Sequence, residues 1–182
     1  MIYIVTGALS FIPLLLFDVQ KAKGIRHAYV WFGVGGLMLL ASTAMLLVPA
    51  LTAVRDPWRN LFGAFAAVWL AVYLYVLFGA LPAKQTYMEG QRANVVKTGP
   101  YGLCRHPGGW CFLFVYWSLY LFSGETGMLV GAILFPVLNF LYIWIQDRYL
   151  FPQYIAGYAD YRREVPFLLP NRRSIAAFFN KP

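Results

Sequence analysis

The sequence predicts an all-α, polytopic membrane protein with about five transmembrane helices, the last two forming a tight hairpin. Three observations predict it. Hydrophobic residues make up 60% of the chain and charged residues 12%, about half the charged share of a soluble domain. The apolar residues gather into long runs bounded by charged stretches. Lysine and arginine fall almost wholly into alternate connections between those runs, as the positive-inside rule requires of a multi-pass chain.

The first run, Ile2 to Phe17, is slightly short for a span and fits if flanking residues snorkel or the bilayer thins. No basic stretch or cleavage pattern marks it as a signal peptide, so it is expected to be retained. The second, Ala28 to Val54, spans with tilt, and the third, Leu61 to Ala83, ends around Pro82. The fourth, Trp110 to Phe122, is short, and the fifth runs from Gly127 to Ile145. Only Ser123-Gly-Glu-Thr126 separates these two, which predicts an antiparallel helical hairpin. Phe151-Pro152 is expected to end the fifth helix, because proline cannot continue the hydrogen-bond ladder.

With the N-terminus outside, segments 18–27, 84–109 and 146–182 face the cytoplasm and carry thirteen of the fifteen Lys/Arg residues, leaving Arg55 and Arg59 outside. The C-terminus is then cytoplasmic, and a bacterial inner membrane is the expected setting. Tyr154, Tyr158 and Tyr161 recur at helical spacing, predicting a short interfacial helix on the cytoplasmic side. Val165 to Pro170 reads as extended, since residues before proline avoid the α region. Arg172, Arg173 and Lys181 are expected at the headgroups. Residues 1–182 form one domain: N-terminal helices over 1–83, then a loop, the hairpin and a C-terminal segment over 84–170.

The net charge of +8 is explained by orientation and anionic lipid. No Lys/Arg stripe interleaved with exposed aromatics speaks for nucleic acid. Cys104 and Cys111 with one nearby histidine fall short of a zinc site, so no metal is expected and the pair reads as packed thiols.

Ionisable residues at the ends of membrane helices are the candidates for chemistry. Arg105 and His106 enter the fourth helix, while Asp147 and Arg148 leave the fifth. A hairpin brings these clusters to one membrane face. An arginine can clamp a carboxylate, a histidine can donate to oxygen or take a proton, and an aspartate can accept from a hydroxyl or an ammonium group. Such a set suits a zwitterionic nucleoside cofactor. The plainer alternative is that Arg105 binds lipid phosphate, His106 caps the loop and Asp147 pairs with Arg148. Glycines at 99, 102, 108 and 109 allow close backbone approach but lack dinucleotide-fingerprint or phosphate-loop spacing.

Thr98-Gly-Pro-Tyr-Gly-Leu-Cys-Arg-His-Pro107, the short hairpin, and a closing Tyr158-x-x-Tyr161-x-x-x-Val165-Pro…Pro170 resemble the isoprenylcysteine carboxyl methyltransferase and phospholipid methyltransferase superfamily. The match covers roughly residues 95–170. It implies a small multi-helix membrane enzyme using S-adenosylmethionine, with the cofactor held by Gly99, Tyr101, Arg105, His106 and Asp147. The family's acidic pair falls on Gln146-Asp147, and its His-Pro-x-Tyr continuation is replaced by His106-Pro-Gly-Gly109. Tyr142 stands where prenylcysteine-methylating members carry an arginine for the substrate carboxylate. The resemblance therefore implies methyl transfer to a lipid or small amphiphilic acceptor at the cytoplasmic face, with membrane lipids as partners. Arg148, Tyr158 and Tyr161 are the candidate catalytic residues. An NADPH-dependent reductase of the sterol-reductase kind, which shares a related Arg-His-Pro loop, and a non-catalytic lipid-binding protein are the alternatives.

Overall fold

The computed structural model describes residues 1–52, 56–81 and 93–179. The expected ends of the second and third runs at Val54 and Ala83 lie outside them, as do Arg55, Pro82 and Lys181. The protein is an all-α polytopic membrane protein. Among the described residues, four helical stretches are long and apolar enough to cross a bilayer: Ile2–Ala22, Tyr29–Thr52, Arg59–Gly79 and Thr126–Tyr154.

The first stretch is two helices, α1 (Ile2–Leu9) and α2 (Phe11–Ala22). Pro13 has no N–H to offer Leu9, and the chain resets at buried Ser10, whose hydroxyl donates to the Gly7 carbonyl at 2.6 Å. Charge boundaries place the end of this helix at Phe17, but α2 carries on through Asp18 and Lys21 to Ala22. Both charged side chains turn inward and are buried, so they do not mark a headgroup-level loop. The helix α3 (Tyr29–Thr52) crosses α1 closely. There the Ser42 hydroxyl donates to the Tyr3 carbonyl, and Gly7 leaves room for the Phe135 ring and the Ser42 hydroxyl.

The helix α4 (Arg59–Leu74) runs on as a π-helical turn over Tyr75–Gly79. After the short α5 (Pro100–Leu103) come α6 (Pro107–Ser123) and α7 (Thr126–Ile145), the expected hairpin. Gly124 closes α6 with φ +71° and returns its N–H to the Tyr120 carbonyl at 2.7 Å, a left-handed cap that glycine adopts without Cβ strain. Arg59 donates to the Leu121 carbonyl at 3.2 Å, joining the start of α4 to the hairpin tip.

The core lies where α1, α2, α3, α6 and α7 meet, around the fully buried Met128, Ala132 and Phe135 with Phe11, Leu46, Phe112 and Tyr116. Trp69 of α4 stacks on Phe114 of α6 with centroids 4.6 Å apart. Val68, Ile133, Val137 and Leu141 are exposed on the outside of the bundle, the perimeter that a bilayer covers.

Phe151-Pro152 does not end the last spanning helix. A π-helical turn over Gln146–Leu150 leads into α8 (Phe151–Tyr154). Pro152 sits in the first turn of that segment, where its missing N–H has no intrahelical partner to lose. The short helix expected around the tyrosines is α9 (Tyr158–Glu164), but Tyr154, Tyr158 and Tyr161 face the protein and are buried. Before it, Ile155–Ala156 pairs in parallel with Ala93–Asn94. Residues 165–170 are non-helical as expected, and the helix α10 (Arg172–Phe179) follows against α5.

Candidate functional site

The loop before α6 is shaped by two residues that accept unusual geometry. Gly99 has φ +57°, a left-handed conformation open to glycine, and Pro100 then starts α5 with its fixed φ. The chain straightens at Cys104, and Pro107 opens α6. Gly109 brings α6 against α7, since a Cβ there would lie 2.9 Å from Ile143 Cδ1 and 3.2 Å from Phe140 Cε1.

The non-helical segment 165–170 is stitched to this loop. Arg105 N–H donates to the Pro166 carbonyl at 2.9 Å and His106 N–H to the Phe167 carbonyl at 3.3 Å. Trp110 Nε1 donates to the Leu168 carbonyl at 2.9 Å. Tyr161 donates to the Tyr101 carbonyl at 2.7 Å, and Tyr101 donates to the Val76 carbonyl at 3.1 Å.

At the centre stands Asp147, buried at 5% exposure in the π-helical turn after α7. Arg105 grips it with both edges of a fork, Nε to Oδ1 at 2.7 Å and Nη2 to Oδ2 at 3.1 Å. The remaining Arg105 nitrogen, Nη1, donates to the carbonyls of Arg162 and Val165. Tyr158 donates to Asp147 Oδ1 at 2.7 Å, and Arg162 Nε lies 3.5 Å from Oδ2. His106 Nε2 is 3.3 Å from Oδ1. A carboxylate only accepts, so this nitrogen carries the proton. Phe151 stacks on the imidazole at 5.8 Å and Phe167 meets it edge-on at 5.1 Å.

Burial holds the His106 imidazole below its ordinary pKa, against the opposing pull of Asp147. Burial also pushes the Tyr158 hydroxyl far up, reinforced by the Asp147 charge, and raises Tyr161 and Tyr101. These hydroxyls stay protonated and act as donors, not as bases. The Cys104 thiol is pushed up to about 11 by burial. Cys104 and Cys111 are both free and buried.

A second polar cluster escapes the sequence reading. Asp18 of α2 is 1% exposed. It accepts from Tyr142, from Gln146 Nε2 at 2.8 Å and from the Tyr154 hydroxyl at 2.9 Å. Lys21, one turn on, places Nζ 5.7 Å from the ring centroids of both Phe17 and Tyr154. Gln146 and Asp147 are adjacent in the chain, so one turn of backbone serves both clusters.

Between the clusters lies a cavity of about 500 Å³, within the roughly 300–1,000 Å³ of small-molecule sites. Tyr101, Arg105, His106, Tyr158 and Tyr161 line its polar end beside Asp18 and Gln146, and Phe11, Leu14, Phe32, Leu39 and Phe112 line its apolar part. The structure thus brings five of the sequence-chosen residues to one cavity. Asp147 stands behind Arg105 and His106, and Gly99 and Arg148 also lie off the cavity wall. Arg148 is exposed, and Asp147 pairs with Arg105 instead of its neighbour. The signal for Asp18 was an acid at the end of an apolar run, visible only once its three distant donors are known.

The chain is similar to methanethiol S-methyltransferase 2 of Bradyrhizobium diazoefficiens. The two are 35% identical over 121 residues, 62% of this chain and 43% of that protein. The chain thus spans less than half the length of the curated relative it matches. The likeness supports the membrane methyltransferase superfamily that the loop and hairpin resemble. No protein-family model and no solved structure matches the chain.

Proposed function

We propose that this chain is an integral-membrane methyltransferase that uses S-adenosylmethionine and methylates a small amphiphilic acceptor, a thiol first among the candidates. The observation that carries the reading is one continuous cavity with a polar, aromatic end at the His106-Pro107 loop and an apolar remainder. The relative's name, a methyltransferase of a small thiol, supports the same class of chemistry.

The residues fit the cofactor. The rings of Phe151 and Tyr158 on the cavity wall suit a sulfonium cation. His106, Tyr101 and Tyr158 are the groups placed to touch it. Arg105, Asp147 and Gly99 hold the loop in shape, and Tyr161 fastens that loop through the Tyr101 carbonyl. Bound there, S-adenosylmethionine supplies an electrophilic methyl group. The chain's part is to align the acceptor with it and to exclude water, which are the main levers for such a displacement.

The Lys/Arg distribution supports a cytoplasmic side for this end of the bundle, the C-terminus and Arg148. Cofactor then enters from the cytoplasm, while the acceptor reaches the apolar part from among the membrane lipids.

Thermal unfolding of the detergent-solubilised protein tests the reading. S-adenosylmethionine should raise the midpoint in a concentration-dependent way and NADPH should not. Label from the methyl donor should pass to methanethiol or to a component of a lipid extract. No stabilisation by S-adenosylmethionine, together with no transferred label, would overturn the proposal.

A further inference from the structure

The wall of the cavity formed by α7 carries a polar stripe, Asn139, Tyr142 and Gln146, at the i, i+3, i+7 spacing of one helix face. Tyr142 and Gln146 both donate to Asp18. Asn139 is different. It is 7% exposed, lines the cavity, and its side-chain amide makes no hydrogen bond among the described residues. At 1.5 Å per residue it sits about 10 Å further along the helix axis than Gln146, toward the hairpin tip and away from the loop.

A buried amide left unpaired costs about 1–3 kcal/mol, and a polar side chain deep in a membrane helix marks function more often than packing. Hydrophobic substitution at this position would avoid that cost, so the amide requires a partner from the cavity. We propose that Asn139 is a ligand-binding residue, its amide hydrogen-bonding the heteroatom of a small, uncharged acceptor whose remainder is apolar. The amide offers a carbonyl to an S–H or O–H and an NH₂ to the heteroatom's lone pair. A neutral amide in apolar surroundings selects a neutral group, because a charged one would arrive without compensation. The polar anchor at Asn139 and the cofactor end at His106 then divide the cavity between acceptor and donor. Naming the ligand as the methyl acceptor rests on the function proposed above; the binding role of Asn139 does not.

The test compares wild type with Asn139→Leu, which keeps the branching and number of side-chain heavy atoms and removes the polar ones, in detergent. The probes are benzyl mercaptan and its shape-matched hydrocarbon, ethylbenzene, with Kd read from the concentration dependence of the unfolding midpoint. Wild type is expected to prefer the thiol by about tenfold, the preference that one satisfied buried amide supplies. Asn139→Leu should bind both probes alike, and its ligand-free midpoint should equal or exceed that of wild type. A midpoint lowered by more than about 3 °C would make Asn139 a structural residue and overturn the proposal. So would an unchanged preference for the thiol. Binding of S-adenosylhomocysteine is measured alongside. Failure of wild type to bind it would sink the methyltransferase reading while the probe comparison still decides the role of Asn139.

Discussion

Replacing Asp147 with asparagine keeps the shape of the side chain and removes only its charge, so it isolates what that charge holds together. Arg105 Nε and Nη2 lose a carboxylate at 2.7 and 3.1 Å, and Arg162 loses its partner at 3.5 Å. The Arg105 side chain is 9% exposed, so solvent does not take over. Breaking a buried ion pair from one side costs about 3–5 kcal/mol. The carbonyls of Arg162 and Val165 still accept from Arg105 Nη1, and the asparagine oxygen still accepts from Tyr158, which sets the expected loss at about 3 kcal/mol. For a chain of this size that is a fall of about 6–12 °C in the unfolding midpoint. Circular dichroism of the solubilised protein reads it directly, and affinity for S-adenosylmethionine should fall as the loop loosens. The double variant Arg105→Met/Asp147→Leu should lose less than the two single variants together, since an apolar pair leaves no stranded charge. A shift under about 2 °C for Asp147→Asn would refute the view that this pair organises the site.

Two further outcomes follow from groups on either side of that pair. His106 has its pKa lowered in the folded protein, so between that value and its ordinary 6.5 the unfolded chain binds more protons than the native one. Stability is then fully present above about pH 6.5 and falls below it, by at most about 1.4 kcal/mol per pH unit. Midpoints measured from pH 8 to pH 5 should show the decline, and His106→Gln should flatten it. Gly7→Ala introduces a methyl group into the Phe135 ring and the Ser42 hydroxyl, and Phe135 is fully buried. Overpacking of about 1–3 kcal/mol should outweigh the helix-propensity gain of up to about 1 kcal/mol, giving a net loss in chemical or thermal unfolding.

The sequence made the bundle legible for a reason that lies outside the protein. A bilayer demands apolar runs of fixed length and penalises charge within them, so the spans Tyr29–Thr52 and Thr126–Tyr154 announce themselves without knowledge of any contact. Arg105, His106 and Asp147 were visible on the same terms, as charges at helix ends. That rule fails at Asp18, where a charge does lie inside a helix. Its compensation comes from Tyr142, Gln146 and Tyr154, more than 120 positions away, and no local pattern encodes it. The π-helical turn at Gln146–Leu150 hid for a related reason. Pro152 reads locally as a stop, yet the wider turn before it restarts the ladder, so proline occupies a first-turn position at no cost. Asn139 hid because hydropathy averages one amide into a run of leucines and aromatics. At Asp18 and Asn139 the residue missed is a polar group whose partner is not its neighbour in sequence. Asp18 finds that partner within the fold. For Asn139 the described residues supply none, and that difference points from structure to ligand.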